Sequence, residues 1–161
     1  MKKLIWIGGG ILVLIGGFFV FQAKPVTPST DFSTLSNREL AVLCDADMDE
    51  SFHIHPHLEI VINGEKTIVP ADIGVTSTCM TALHTHTPDG VIHVEAPEKR
   101  DFTLGDFFAV WNKPFSKTEL LEYKSDEGHV VMMTVNGAQS DEYENLVLKD
   151  GDVIVLVYQP L

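Results

Sequence analysis

The chain of 161 residues has only two cysteines, Cys44 and Cys79, and eleven basic residues against twenty-three acidic ones. Two cysteines without C-x-x-C spacing give little support to thiol redox chemistry. In an oxidising compartment the default for such a pair is a disulfide, with a metal-ligand role for Cys79 as the alternative. The shortage of Lys and Arg excludes nucleic acid as a partner, because a strongly acidic surface repels phosphates and instead concentrates cations. Also missing are H-E-x-x-H, G-x-S-x-G and any phosphate-binding loop, so no catalytic residue is assigned from a signature. No internal repeat is present.

One long apolar run stands at the start. Lys2 and Lys3 precede Leu4 to Phe21, a stretch of only apolar residues and glycine. As a helix it would span about 27 Å, close to the hydrocarbon thickness of a bilayer. Residues 1–23 therefore read as a transmembrane anchor with the lysines on the cytoplasmic side and the rest of the chain outside. A cleaved signal peptide is the competing reading, but Phe21-Gln22-Ala23-Lys24-Pro25 puts a bulky residue where cleavage wants a small one. Residues 24–35, rich in Pro, Ser and Thr, read as a flexible tether, and residues 36–161 as the extracytoplasmic domain. Beyond the anchor, residues 24–161 keep nine of the basic residues and all twenty-three acidic ones.

Within it, Ser36-Asn37-Arg38-Glu39 has capping-box spacing and predicts a short helix toward Cys44. From Phe52 to Ile62 apolar residues alternate with His53, His55, His57 and Glu59, predicting a strand that is bulged or at an edge near Pro56. Asn63-Gly64 predicts a hairpin. Pro88-Asp89-Gly90 predicts another, between Leu83–Thr87 and Val91–Glu95. Thr103 to Trp111 has helical spacing, and Ser116-Lys117-Thr118-Glu119 predicts one more helix start. The tail predicts strands at His129–Val135 and Val153–Tyr158 around Asn136-Gly137 and Asp150-Gly151-Asp152 turns. The expected fold class is α+β, a single domain with an antiparallel or mixed sheet and two short helices.

Six of the seven histidines lie between residues 53 and 93. His53, His55 and His57 alternate along one predicted strand and so share a face; His84 and His86 do the same on a second segment, His93 and Glu95 on a third. Neutral imidazole suits Cu, Zn, Ni and Fe, and H-x-H spacing lets two rings of one strand reach one ion. The candidate ligands are His53, His55, His57, His84, His86 and His93. Glu59, Glu95 and Cys79 are candidates for orienting those rings or adding a ligand. Six histidines exceed one tetrahedral site, so either two ions bind or some rings only support others. The acidic residues Asp45, Asp47, Asp49 and Glu50 read as a solvated loop, His129 as a non-ligand, and Met80, Met132 and Met133 as packing. A histidine cluster that responds to pH is the competing reading of the same residues.

The run His53-Ile54-His55-Pro56-His57-Leu58, with Cys79, Leu83-His84-Thr85-His86, Gly90-Val91-Ile92-His93-Val94-Glu95 and Phe102-Thr103-Leu104-Gly105-Asp106-Phe107-Phe108, resembles an uncharacterised family of membrane-anchored bacterial and archaeal proteins. The resemblance implies that these histidines form one unit and carries no activity with it. His53-x-His55-x-x-x-Glu59 and Pro88-x-Gly90-x-x-His93 partly resemble the cupin motifs, which would make His53, His55, Glu59 and His93 ligands of one metal. The sequence departs from cupins in the missing glycine before the first motif and in helices where a barrel would continue. Cys79 and His84 resemble the start of a blue-copper ligand loop, without its closing Met. The stretch from Val135-Asn136-Gly137 to Asp150-Gly151-Asp152-Val153-Ile154 resembles the closing strands of β-grasp domains.

The sequence thus predicts a protein of the cytoplasmic membrane whose outer domain binds copper, or zinc as second choice, for capture, buffering or delivery. The alternatives are a metalloenzyme with a His-ligated ion, hydrolytic or oxidative, and a pH-responsive interaction module.

Overall fold

Where the alternating pattern predicts one strand from Phe52 to Ile62, the computed structural model has two, in different sheets. The structure describes residues 31–46 and 50–161; the predicted anchor, most of the tether, Asp47 and Asp49 lie outside them. Among the described residues no helix is long and apolar enough to cross a membrane. In chain order the elements are α1 (Asn37–Val42), β1 (Cys44–Asp45), β2 (Phe52–Ile54), β3 (His57–Ile62), β4 (Glu65–Thr67), β5 (Met80–Thr81), β6 (Leu83–His84) and β7 (His93–Ala96). They continue with α2 (Leu104–Val110), β8 (Phe115–Ser116), β9 (Glu119–Leu120), β10 (Tyr123–Lys124), β11 (His129–Val135), β12 (Ala138–Gln139) and β13 (Val153–Pro160). The fold is α+β: a mixed, sheet-rich small domain with few helices.

The break lies at Pro56. Without an N–H it cannot continue a ladder on both sides. Past it the backbone changes partner: His57 N donates to Asp152 O, and Leu58 N to Gly90 O. β2 thus joins the three-stranded sheet β2-β7-β6, while β3 enters the five-stranded sheet β12-β11-β13-β3-β4. There β3 runs parallel to β13, and each outer pair is an antiparallel hairpin. Asn63 and Gly64, with φ of 51° and 87°, form the tight β3–β4 turn that the Asn-Gly pair predicts.

Alternation decides which face of the large sheet is buried. Leu58, Ile60 and Ile62 of β3, Ile154, Leu156 and Tyr158 of β13, and Val131 and Met133 of β11 share one core with Phe102, Leu104, Phe107 and Phe108. The capping box predicted at Ser36 holds, and the helix predicted from Thr103 forms with Thr103 as its N-cap. Ser36 exchanges capping bonds with Glu39, which pulls the Glu39 carboxyl below its ordinary value, and Thr103 does the same with Asp106. Arg38 Nε then reaches the nearly buried Asp106 carboxylate at 2.9 Å, joining α1 to α2. Residues 31–35, read from sequence as the end of a tether, are held instead by the Arg100 guanidinium, which donates to Phe32 O and Leu35 O.

The helix predicted from Ser116 is absent. The segment forms the small sheet β8-β9-β10, because Ser116 Oγ accepts from Thr118 N, two residues on, as in a turn. Leu121, at φ 57°, closes off a helical continuation. Spacing alone cannot tell a capping box from this turn.

Candidate metal centre

The site lies on one face of the β2-β7-β6 sheet, and the apolar residues choose which face. Val94 and Leu83 are fully buried and pair across the ladder, with Ile54 on the other side of Val94. Since successive side chains alternate, placing Ile54, Val94 and Leu83 toward the core sends His53, His93, Glu95 and His84 to the opposite face. The register then sets His53 directly across from Glu95, and His84 directly across from His93. The predicted hairpin around Pro88-Asp89-Gly90 supplies this alignment. Gly90 holds it in place at φ 87°, where any Cβ would collide with the Leu58 carbonyl oxygen.

Five imidazoles converge there. Ring centroids lie 4.5 Å apart for His53 and His55, 4.7 Å for His55 and His93, 4.7 Å for His86 and His93, and 4.7 Å for His84 and His86. Two sets of three ligand nitrogens each fall within 4.8 Å of one another: His53, His55 and His93, and His84, His86 and His93. A third group, Glu50, His53 and Glu95, mixes carboxylates with imidazole. Glu95 forms the floor, with 7 % of its surface exposed, and His84 is buried at 1 %. His53, His55 and His86 stand exposed at the mouth.

One contact and its burial ready His84 as a ligand. Its Nδ1 lies 3.0 Å from the Thr81 carbonyl oxygen, which can only accept, so Nδ1 carries the proton. In the neutral ring Nε2 is then bare. Burial also pushes the His84 imidazole below its ordinary value, against the opposing pull of the Thr81 carbonyl and Glu95. Burial lowers His93 as well, reinforced by the neighbouring His84, His86 and His55. Neutral imidazole is the form that binds metal.

Glu95 Oε1 lies 2.8 Å from His53 Nε2 and 3.5 Å from His93 Nδ1, and Oε2 lies 3.8 Å from His84 Nε2. His84 Nε2 and His86 Nε2 are 3.2 Å apart. Two nitrogens bound at 2.0–2.1 Å in tetrahedral geometry are about 3.3 Å apart, so this pair already has the spacing of one coordination edge. The donor set of imidazoles with one or two carboxylates suits a borderline transition metal rather than Ca or Mg.

Other predicted residues are not brought to the cluster. His57 belongs to β3, beyond the Pro56 break, and its Nε2 contacts the Asp89 carbonyl. Glu59, the fourth member of the cupin-like set, is on the same strand, 2.6 Å from Lys66 Nζ. Cys79 is bonded to Cys44, so its sulfur is not a thiolate ligand and the blue-copper resemblance loses its cysteine. His129 stacks on Tyr158 beside Asp126. Three contributors escape sequence reasoning. Thr81 acts through its carbonyl, which every residue has. Glu50, read as part of a solvated loop, stands beside His53 and Glu95, and Asp150, read as a turn residue, accepts from His55 N. Met80, read as packing, lines a cavity of about 60 Å³ together with Asp45, Glu50, His84 and Glu95.

No protein-family model, curated protein or solved structure matches this chain.

Proposed function

We propose that this protein is a membrane-anchored, extracytoplasmic binder of a transition metal, copper first and zinc second, that captures, buffers or delivers the ion. The observation that carries the reading is the convergence of His53, His55, His84, His86 and His93 around the buried Glu95 carboxylate. Copper leads because nitrogen sites favour Cu(II) over its first-row neighbours. Exposure of His53, His55 and His86 at the mouth supports exchange with the surroundings rather than a sealed structural ion. The Cys44–Cys79 disulfide supports an oxidising compartment, in keeping with the anchor read from residues 1–23. The β-grasp resemblance gains support from the sheet order, two outer hairpins around a parallel β3–β13 pair.

The test is metal content of the full chain after mild purification, compared with His84→Ala/His86→Ala. Bound metal falls clearly in the double variant while its circular dichroism stays native. Equal metal in both proteins refutes the assignment.

One observation favours a metalloenzyme as the second reading. The cavity of about 60 Å³ opens beside His84 and Glu95, with Glu50 on its wall, as an open coordination position with a nearby base would require. Turnover by the metal-loaded protein that Glu50→Gln abolishes without metal loss would establish it.

A further inference from the structure

One ion does not reach all five imidazoles as they stand. Nitrogens bound to a single ion at 2.0–2.1 Å can be no more than about 4.2 Å apart. The five imidazoles do not form one such set. They divide into two groups whose ligand nitrogens lie within 4.8 Å of one another, His53, His55 and His93 on one side and His84, His86 and His93 on the other, with only His93 in both.

Glu95 lies where the two sets meet, and its two oxygens serve different sides. Oε1 faces His53 at 2.8 Å and His93 at 3.5 Å; Oε2 faces His84 at 3.8 Å. Its ion-pair partners among the described residues are all histidines, with no Lys or Arg. A carboxylate so deeply buried is costly without positive charge against it, and no Lys or Arg among its partners supplies any. Two metal ions would.

We propose that the cluster is a two-ion centre, bridged by Glu95, that holds a pair of divalent Cu or Zn ions. This inference rests on the metal-binding reading above and extends it to nuclearity and to the role of one residue. The first ion takes His53, His55 and Glu95 Oε1, with His93 through Nδ1, the nitrogen that faces Oε1. The second takes His84 through its bare Nε2, His86 at 3.2 Å from it, and Glu95 Oε2. A bridging carboxylate holds two ions roughly 3.5–4 Å apart, where their mutual repulsion is large. Negative charge offsets it: the bridge itself, Glu50 beside His53 and Glu95, and Asp150 beside His55.

Cu(II) titration of the metal-free full chain, followed by equilibrium dialysis and electron paramagnetic resonance, tests the proposal. Two equivalents bind per chain, and the loaded protein shows a broadened spectrum with a half-field transition from two coupled spins. His84→Ala/His86→Ala and His53→Ala/His55→Ala each retain one equivalent with the spectrum of an isolated ion. Glu95→Gln loses the half-field transition. The single variant His86→Ala, at an exposed position, gives the same loss of coupling should a double variant unfold. Saturation at one equivalent overturns the two-ion centre and leaves metal binding standing. Two uncoupled equivalents overturn the bridge. No bound copper or zinc at all overturns the metal-binding reading itself.

Discussion

His57 Nε2 lies 2.8 Å from the carbonyl oxygen of Asp89, so the ring donates into the turn that aligns β6 with β7. By sequence this residue is the third of an alternating trio of ligands; in space it fastens the Pro88-Asp89-Gly90 turn to β3. Leu58 N to Gly90 O makes the neighbouring bond of the same junction.

His57→Ala therefore separates the two roles. Loss of one partly exposed hydrogen bond costs about 1 kcal/mol and lowers the melting temperature by a few degrees. The number of metal equivalents stays that of the parent. A loss of one equivalent in a natively folded His57→Ala protein would restore His57 to the ligands.

The lowered proton affinity of His84 and His93 makes the metal-free fold sensitive to acid. Below the ordinary histidine value of about 6.5 the unfolded chain takes up protons that the folded protein resists. Stability is complete above that pH and falls as pH drops through the window beneath it. Thermal melts of chelator-treated protein between pH 7.5 and 5 give a falling midpoint, and the slope shrinks in His84→Gln. The carboxyls lowered by hydrogen bonding, Asp89, Asp126 and Glu39, begin from ordinary values near 4 and act only at lower pH. A flat midpoint down to pH 5 would contradict the burial of His84 as a neutral ring.

The Cys44–Cys79 bond joins residues 35 apart and borders the β1–β5 pair, in which Cys44 lies opposite Thr81. Closing a loop of that length contributes about 3–4 kcal/mol by restricting the unfolded chain. Thr81 also holds the His84 ring, so loosening β5 frees that ring to rotate. Reduction, or Cys44→Ser/Cys79→Ser, lowers the melting temperature and weakens metal affinity together. Calorimetry and competition with a colorimetric chelator measure the two effects; an unchanged affinity would detach the disulfide from the site.

Much of the site was readable in one dimension because strand chemistry repeats every two residues. His53 with His55, His84 with His86, and His93 with Glu95 must each share a face in an extended segment, and the Pro88-Asp89-Gly90 turn brings the last two segments together. The capping box at Ser36 was local in the same way. The Ser116 box was misread because a Ser hydroxyl serves a turn as readily as a helix.

The sequence by itself determined the donor chemistry, the acidic surroundings and the pairing of histidines within each segment, since these depend only on residue type and local period. Tertiary structure alone decided that the chain divides at Pro56, sending His57 and Glu59 into one sheet and His53 and His55 into another. It also decided that Glu95 forms a buried floor and that the Thr81 carbonyl sets the His84 tautomer. The reason is physical: which strand a backbone pairs with, and which groups lose water, are settled by contacts between residues far apart in the chain, and no local period encodes them.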